Sequence, residues 1–110
     1  MLGVSLTTGT AQADSPIISA SGGQCKAYWD RSENAFYIAD KDNHDSDWCY
    51  VDYSWSSSHS DKHRKSVPQD LDTKYHKRPV TIEGRTIYWH VCKERQDDPD
   101  ICSEWRSDLT

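Results

Sequence analysis

Alternation of apolar and polar side chains is clearest over residues 48–55. There Cys49, Val51, Tyr53 and Trp55 fall on one face, and Tyr50, Asp52 and Ser54 on the other. A period of two over that length predicts an antiparallel strand, half-buried with one face toward a core. Residues 86–93 repeat the pattern, with Ile87, Trp89 and Val91 on one side and Tyr88, His90 and Cys92 opposite. Shorter runs predict strands over 25–29, 35–39 (Phe36 and Ile38 on one face), 79–83 and 101–106. Polar stretches at 30–34, 40–47 and 96–100 and the Glu83-Gly84 pair read as turns, while Val67-Pro68 and residues 70–72 read as a bend. Residues 19–23 read as a flexible lead-in and 56–66 as a long polar loop or hairpin end. No apolar period of 3.6 persists long enough for a helix. Six or seven short strands with turn-punctuated spacing predict an all-β domain, a small antiparallel β-sandwich or open barrel.

Composition makes that core thin. From Asp14 onward, 97 residues contain only 13 Ile, Leu, Val and Phe, a level that raises the question of disorder. Five Trp and six Tyr answer part of it, because each buries far more area than a Val. Cysteines answer the rest. Cys25, Cys49, Cys92 and Cys102 permit three disulfide pairings. The turn Asp97-Asp98-Pro99-Asp100 would fold the last strand back on its predecessor, which favours Cys92 with Cys102 and leaves Cys25 with Cys49. On the chain-entropy argument, loops of about 11 and about 25 residues contribute roughly 3 and 3.5 kcal/mol. A cysteine-rich metal site is disfavoured by spacing, since no Cys-x-x-Cys is present.

The cysteines follow a stretch that ends Ala11-Gln12-Ala13, a small-x-small site of the kind a signal peptidase cuts. Residues 1–13 contain no Lys or Arg, and their apolar part (Leu2, Val4, Leu6) is short. The expectation is a truncated signal peptide, or otherwise a disordered tail, over 1–13, a flexible lead-in over 14–24 and one β domain over 25–110. Secretion suits disulfides. No run approaches the roughly 18 apolar residues of a membrane-spanning helix.

The net charge of −5 argues against sequence-independent binding of nucleic acid, which needs a basic face. Lys62-His63-Arg64-Lys65 is flanked by Asp61, Asp70 and Asp72 and reads as a solvated loop.

The stretches AFYIADKDNHDSDWCYVDYSW and TIYWHVCKERQDDPDICSEW resemble a group of small secreted, Streptomyces-like actinobacterial proteins, mostly of unknown function. Ile38-Ala39-Asp40 and Cys49-Tyr50-Val51 correspond to the group's first pattern. His90-Val91-Cys92 and Cys102-Ser103-Glu104-Trp105 correspond to its closing R-V-C…C-x-x-W pattern, with His90 where Arg is usual. The resemblance covers roughly residues 25–106. It implies a compact β domain and export, and it transfers no catalytic residue.

Three constellations remain as candidate chemistry. The acidic segment with Asp40, Asp42, Asp45 and Asp47 offers oxygens for Ca²⁺ but departs from the EF-hand pattern, with Asp45 where Gly is needed and Val51 where Glu is needed. Its plainer reading is a turn whose Asp and Asn side chains bond their own backbone. His59, Asp61 and His63 would share one face of an extended strand and suit zinc or copper, although their Ser- and Lys-rich surroundings read as a mobile loop. His90 reads as a strand residue satisfied by a neighbour rather than a general base. No Gly-x-Ser-x-Gly elbow is present, and no cofactor is implied.

Aromatics are the third. Tyr28, Tyr50, Tyr88 and Trp105 are candidates for an exposed row that stacks on sugars or anchors a protein, against the plainer reading of a small cluster shielding the core. The leading expectation is therefore a secreted, non-enzymatic domain recognising an extracellular protein or a polysaccharide. A second is a proteinaceous inhibitor of an extracellular hydrolase, by analogy with α-amylase inhibitors, although their Trp-Arg-Tyr triplet is approached here only by Trp105-Arg106-Ser107. A third is a metal-dependent enzyme using the His/Asp groups.

Overall fold

The alternating runs do pair into antiparallel ladders. A computed structural model describes residues 14–42, 47–67 and 72–110. Its strands are β1 (Ile18–Ala20), β2 (Cys25–Asp30), β3 (Ala35–Asp40), β4 (Cys49–Ser54), β5 (His63–Val67), β6 (His76–Pro79), β7 (Ile87–Lys93), β8 (Ile101–Cys102) and β9 (Arg106–Asp108). One sheet has the order β1-β2-β3-β6; the other has β5-β4-β7-β8, with β9 also pairing β7. The domain is thus an all-β, disulfide-bonded sandwich, with more strands among the described residues than the six or seven expected. No helix among the described residues is long and apolar enough to cross a membrane.

Register explains the core. Trp29 stands opposite Phe36 and Ala27 opposite Ile38 in one sheet, while Tyr53 faces Trp89 and Val51 faces Val91 in the other. These inward residues meet in one cluster. Phe36, the chain's sole phenylalanine, sits at its centre, with ring centroids 4.8 Å from Trp29, 5.1 Å from Trp89 and 5.7 Å from Tyr53. Tilted pairs at such separations add to burial through the ring quadrupoles. The aromatics therefore supply the volume that the aliphatic side chains lack.

Burying an indole requires a partner for its N–H. The C-terminal segment provides both: Trp89 Nε1 donates to Asp108 Oδ2 (2.8 Å) and Trp29 Nε1 to the Leu109 carbonyl (3.1 Å). Asp108→Ala is expected to orphan the Trp89 N–H and to cost about 1–3 kcal/mol in urea unfolding. An unchanged midpoint would mean that the indole is satisfied elsewhere.

Cys25–Cys49 joins β2 to β4 and so ties the two sheets together, whereas Cys92–Cys102 links directly opposed residues of β7 and β8. Both bridges follow the pairing favoured by the 97–100 turn.

Four segments differ from expectation, the first being the strand expected over 101–106, which breaks into β8 and β9. Residues 18–20, inside the expected flexible lead-in, form β1; Ile18 and Ala20 pack on the core, and Ser21, Gly22 and Gly23 take positive φ to turn the chain into β2. Residues 63–66 of the expected loop, with Val67 of the expected bend, form β5. It is an edge strand, so only Val67 is fully buried and the rest stays polar. The expected strand over 79–83 lies earlier, at 76–79, and ends at Pro79, which has no N–H to continue a ladder. Arg78 closes the gap between the sheets, donating from Nε to the Ser66 carbonyl (2.9 Å) and from Nη1 to the Lys77 carbonyl (3.2 Å). The expected leader over 1–13 lies outside the described residues, as does most of the bend expected near 68–72.

Candidate binding face

The polar half of the β4 and β7 alternation forms the outer face of the second sheet, and register arranges it in rows. Arg64, Asp52 and His90 stand side by side across β5, β4 and β7; the next row is Ser66, Tyr50, Cys92 and Cys102; on the other side Ser54, Tyr88 and Ser107 align. Between Cys102 and Arg106 the edge holds three residues opposite only His90 and Val91, a bulge pinned where the Ser103 N–H donates to the Val91 carbonyl (2.8 Å) and Val91 N–H to Ser103 Oγ (3.1 Å). Bulges redirect side chains. This one brings Trp105 onto His90, with rings 3.9 Å apart and inclined by 22°.

The turn after β4 adds His59. Its N–H bonds the Ser56 carbonyl (2.9 Å), and its φ of 59° is a left-handed conformation uncommon for a residue with a Cβ. That geometry stacks its imidazole on Trp105 at 3.8 Å and 10°, and places it 6.0 Å from the Tyr88 ring. Trp105 thus touches two imidazoles, beside Tyr88.

Asp52 anchors the centre. Its carboxylate takes two bonds from Arg64, from Nε at 2.8 Å and Nη2 at 3.2 Å, and lies 3.6 Å from His90 Nε2. Burial disfavours its charge, but the neighbouring His90 and the hydrogen bonds and charge of Arg64 outweigh that and hold the carboxyl below its usual range. The Arg64 guanidinium also covers the Tyr50 ring at 3.8 Å. Tyr50 in turn bonds Asp100, and burial together with that bond raises its phenol. The result is a continuous file from Asp100 through Tyr50, Arg64, Asp52 and His90 to Trp105 and His59.

A pH dependence follows. Because the folded carboxyl titrates below the unfolded reference of 3.8, its stabilising contribution is complete above that pH and disappears as pH falls through the folded value. Between about pH 5 and pH 2, the urea midpoint of the wild type is expected to fall further than that of Asp52→Asn. Parallel curves would mean that the Arg64–Asp52–His90 cluster is not intact in solution.

The residues singled out in the sequence go to different places. Tyr88 and Trp105 share the outer face just described, each half-buried. Tyr50 lies on the same face but is only 4 % exposed, beneath Arg64, so it supports the face rather than offering contact. Tyr28 is on the other sheet, stacked on Tyr37 (5.0 Å) and edge-on to Tyr75 (5.2 Å), so the four aromatics do not make one row. Tyr37 bonds Glu33, which with minor desolvation pushes its phenol up to about 12.

His59, Asp61 and His63 do not converge. His59 stacks on Trp105, Asp61 accepts from Ser54 Oγ, and His63 lies on the Tyr53 ring at 5.1 Å, with 4.0 Å between His63 and Asp61. In the acidic segment, Asp40 accepts the Asp42 N–H (3.1 Å), Gln24 bonds Asp42 (3.3 Å), and Asp47 lies 3.8 Å from Lys93. This is the turn chemistry of Asx side chains. Asp45 lies outside the described residues.

Sequence reasoning missed the parts played by Arg64, Asp52, His59 and His90. Arg64 stood in a presumed loop, and the two histidines need the bulge and the left-handed turn to reach Trp105. Among the described residues no pocket is enclosed; the face is open. Comparison with family models, curated proteins and solved structures finds no match, so the functional reading rests on these residues.

Proposed function

We propose that the protein is a secreted, non-enzymatic domain that recognises a protein or a surface polymer through the outer face of its five-stranded sheet. The carrying observation is Trp105, held against His59 and His90 beside Tyr88 and the Asp52–Arg64 pair. Trp, Tyr and Arg dominate binding energy where they are locked before contact, because little rotamer entropy remains to be lost. Here stacking and bidentate bonding already hold them. The two disulfides and the resemblance to exported actinobacterial proteins support an extracellular setting. The divergence of His59, Asp61 and His63 favours recognition over metal-dependent catalysis.

The test is capture of the oxidised full chain on cellulose, chitin and peptidoglycan, and of culture-supernatant proteins on the immobilised chain. Trp105→Ala is expected to weaken capture by about tenfold or more, with Tyr28→Ala unaffected. A panel of amylases and proteases should keep full activity in its presence. Inhibition of one enzyme, or equal capture by both variants, would contradict the reading.

A further inference from the structure

The two disulfides differ in access. Cys25 and Cys49 are 0 % and 1 % exposed between the sheets, whereas Cys102 is exposed on the outer face. Exchange requires a thiolate to reach sulfur, so access directs reduction to the Cys92–Cys102 bridge.

What surrounds that bridge gives its opening a consequence. His90 and Cys92 are two apart on β7 and project from the same face, with His90 Nε2 3.4 Å from Cys92 Sγ. A ring nitrogen of His90, Cys92 Sγ and Cys102 Sγ all lie within 4.8 Å of one another. Tetrahedral zinc, with bonds of about 2.3 Å to sulfur and about 2.0 Å to nitrogen, sets its donors roughly 3.5–3.8 Å apart. Small side-chain rotations on a ladder that already opposes residues 92 and 102 suffice to reach that arrangement.

We propose that Cys92–Cys102 is a masked metal site: once reduced, its two thiolates and His90 bind zinc or a similar thiophilic divalent ion. A dithiol supplies the two electrons. Its thiolate attacks Cys102 Sγ, the S–S bond breaks and its electron pair leaves on Cys92 Sγ; the second thiol then closes the reductant into a disulfide and releases Cys102. Metal binding forms two metal–sulfur bonds and one metal–nitrogen bond and sends the thiol protons to solvent, with water completing the tetrahedron. This inference is independent of the binding face's ligand.

The experiment reduces the full chain with limiting dithiol, removes the reductant anaerobically and titrates with Co²⁺. Alkylation should label Cys92 and Cys102 before Cys25 and Cys49. One equivalent should bind with thiolate charge-transfer and tetrahedral cobalt bands, displaced by Zn²⁺, while the oxidised chain shows neither. His90→Ala and Cys102→Ser should each weaken binding by about tenfold or more. If reduction loosens the fold, the metal should restore the strand signal in circular dichroism. Simultaneous labelling of all four cysteines, absence of the bands, or equal binding by His90→Ala overturns the proposal.

Discussion

Trp89→Ala is expected to lower stability by about 3–5 kcal/mol, the range for emptying a large aromatic site in a core. Trp89 is fully buried, packs on Phe36 and is anchored to Asp108. Domains of this kind hold only about 5–15 kcal/mol in total, so the variant should lose a large fraction of its stability. Few aliphatic side chains are present to collapse into the space. Trp89→Phe should fall between the two, since it retains most of the volume and loses the indole N–H. Urea unfolding followed by circular dichroism checks the order. A Trp89→Ala midpoint close to the wild type would show that the aromatic cluster does not carry the fold.

The second large effect concerns the bridge between the sheets. Cys25→Ala/Cys49→Ala is expected to cost about 2–5 kcal/mol. The bridge spans a sequence separation of 24, against 10 for Cys92–Cys102, so its removal releases more unfolded-chain entropy. It also leaves a gap where both positions are fully buried, whereas in the other pair Cys92 is buried and Cys102 exposed. The inter-sheet variant should therefore melt below Cys92→Ala/Cys102→Ala. The reverse order would place the weak point of the fold in the β7–β8 edge.

What was legible in the sequence follows from which positions face a core. β4 and β7 showed a period of two because one side of each packs on Phe36 and its neighbours. Their other side was legible only as polar, and its near-complete burial on β4 depends on cover from Arg64 and His90 across the sheet. β5 left no such trace, since a strand with one free edge and an outer polar face needs few apolar residues. β1 was hidden by its Ser- and Gly-rich surroundings, although Ile18 marks its inward side. The disulfide partners were legible because a turn of Asp and Pro fixed which strands return. The Trp105 stack was not: it joins residues 59, 90 and 105 through a bulge and a left-handed turn, neither of which has a periodic signature.

The measurement that tests the account most directly is backbone amide NMR of the oxidised full chain, titrated with a polymer or protein that it captures. Shifts should cluster at Tyr88, His90 and residues 102–106, with the turn at His59, while residues 26–39 stay unchanged. Shifts centred instead on Tyr28 and Tyr37, or spread evenly over both sheets, would contradict the assignment of the five-stranded sheet as the binding face.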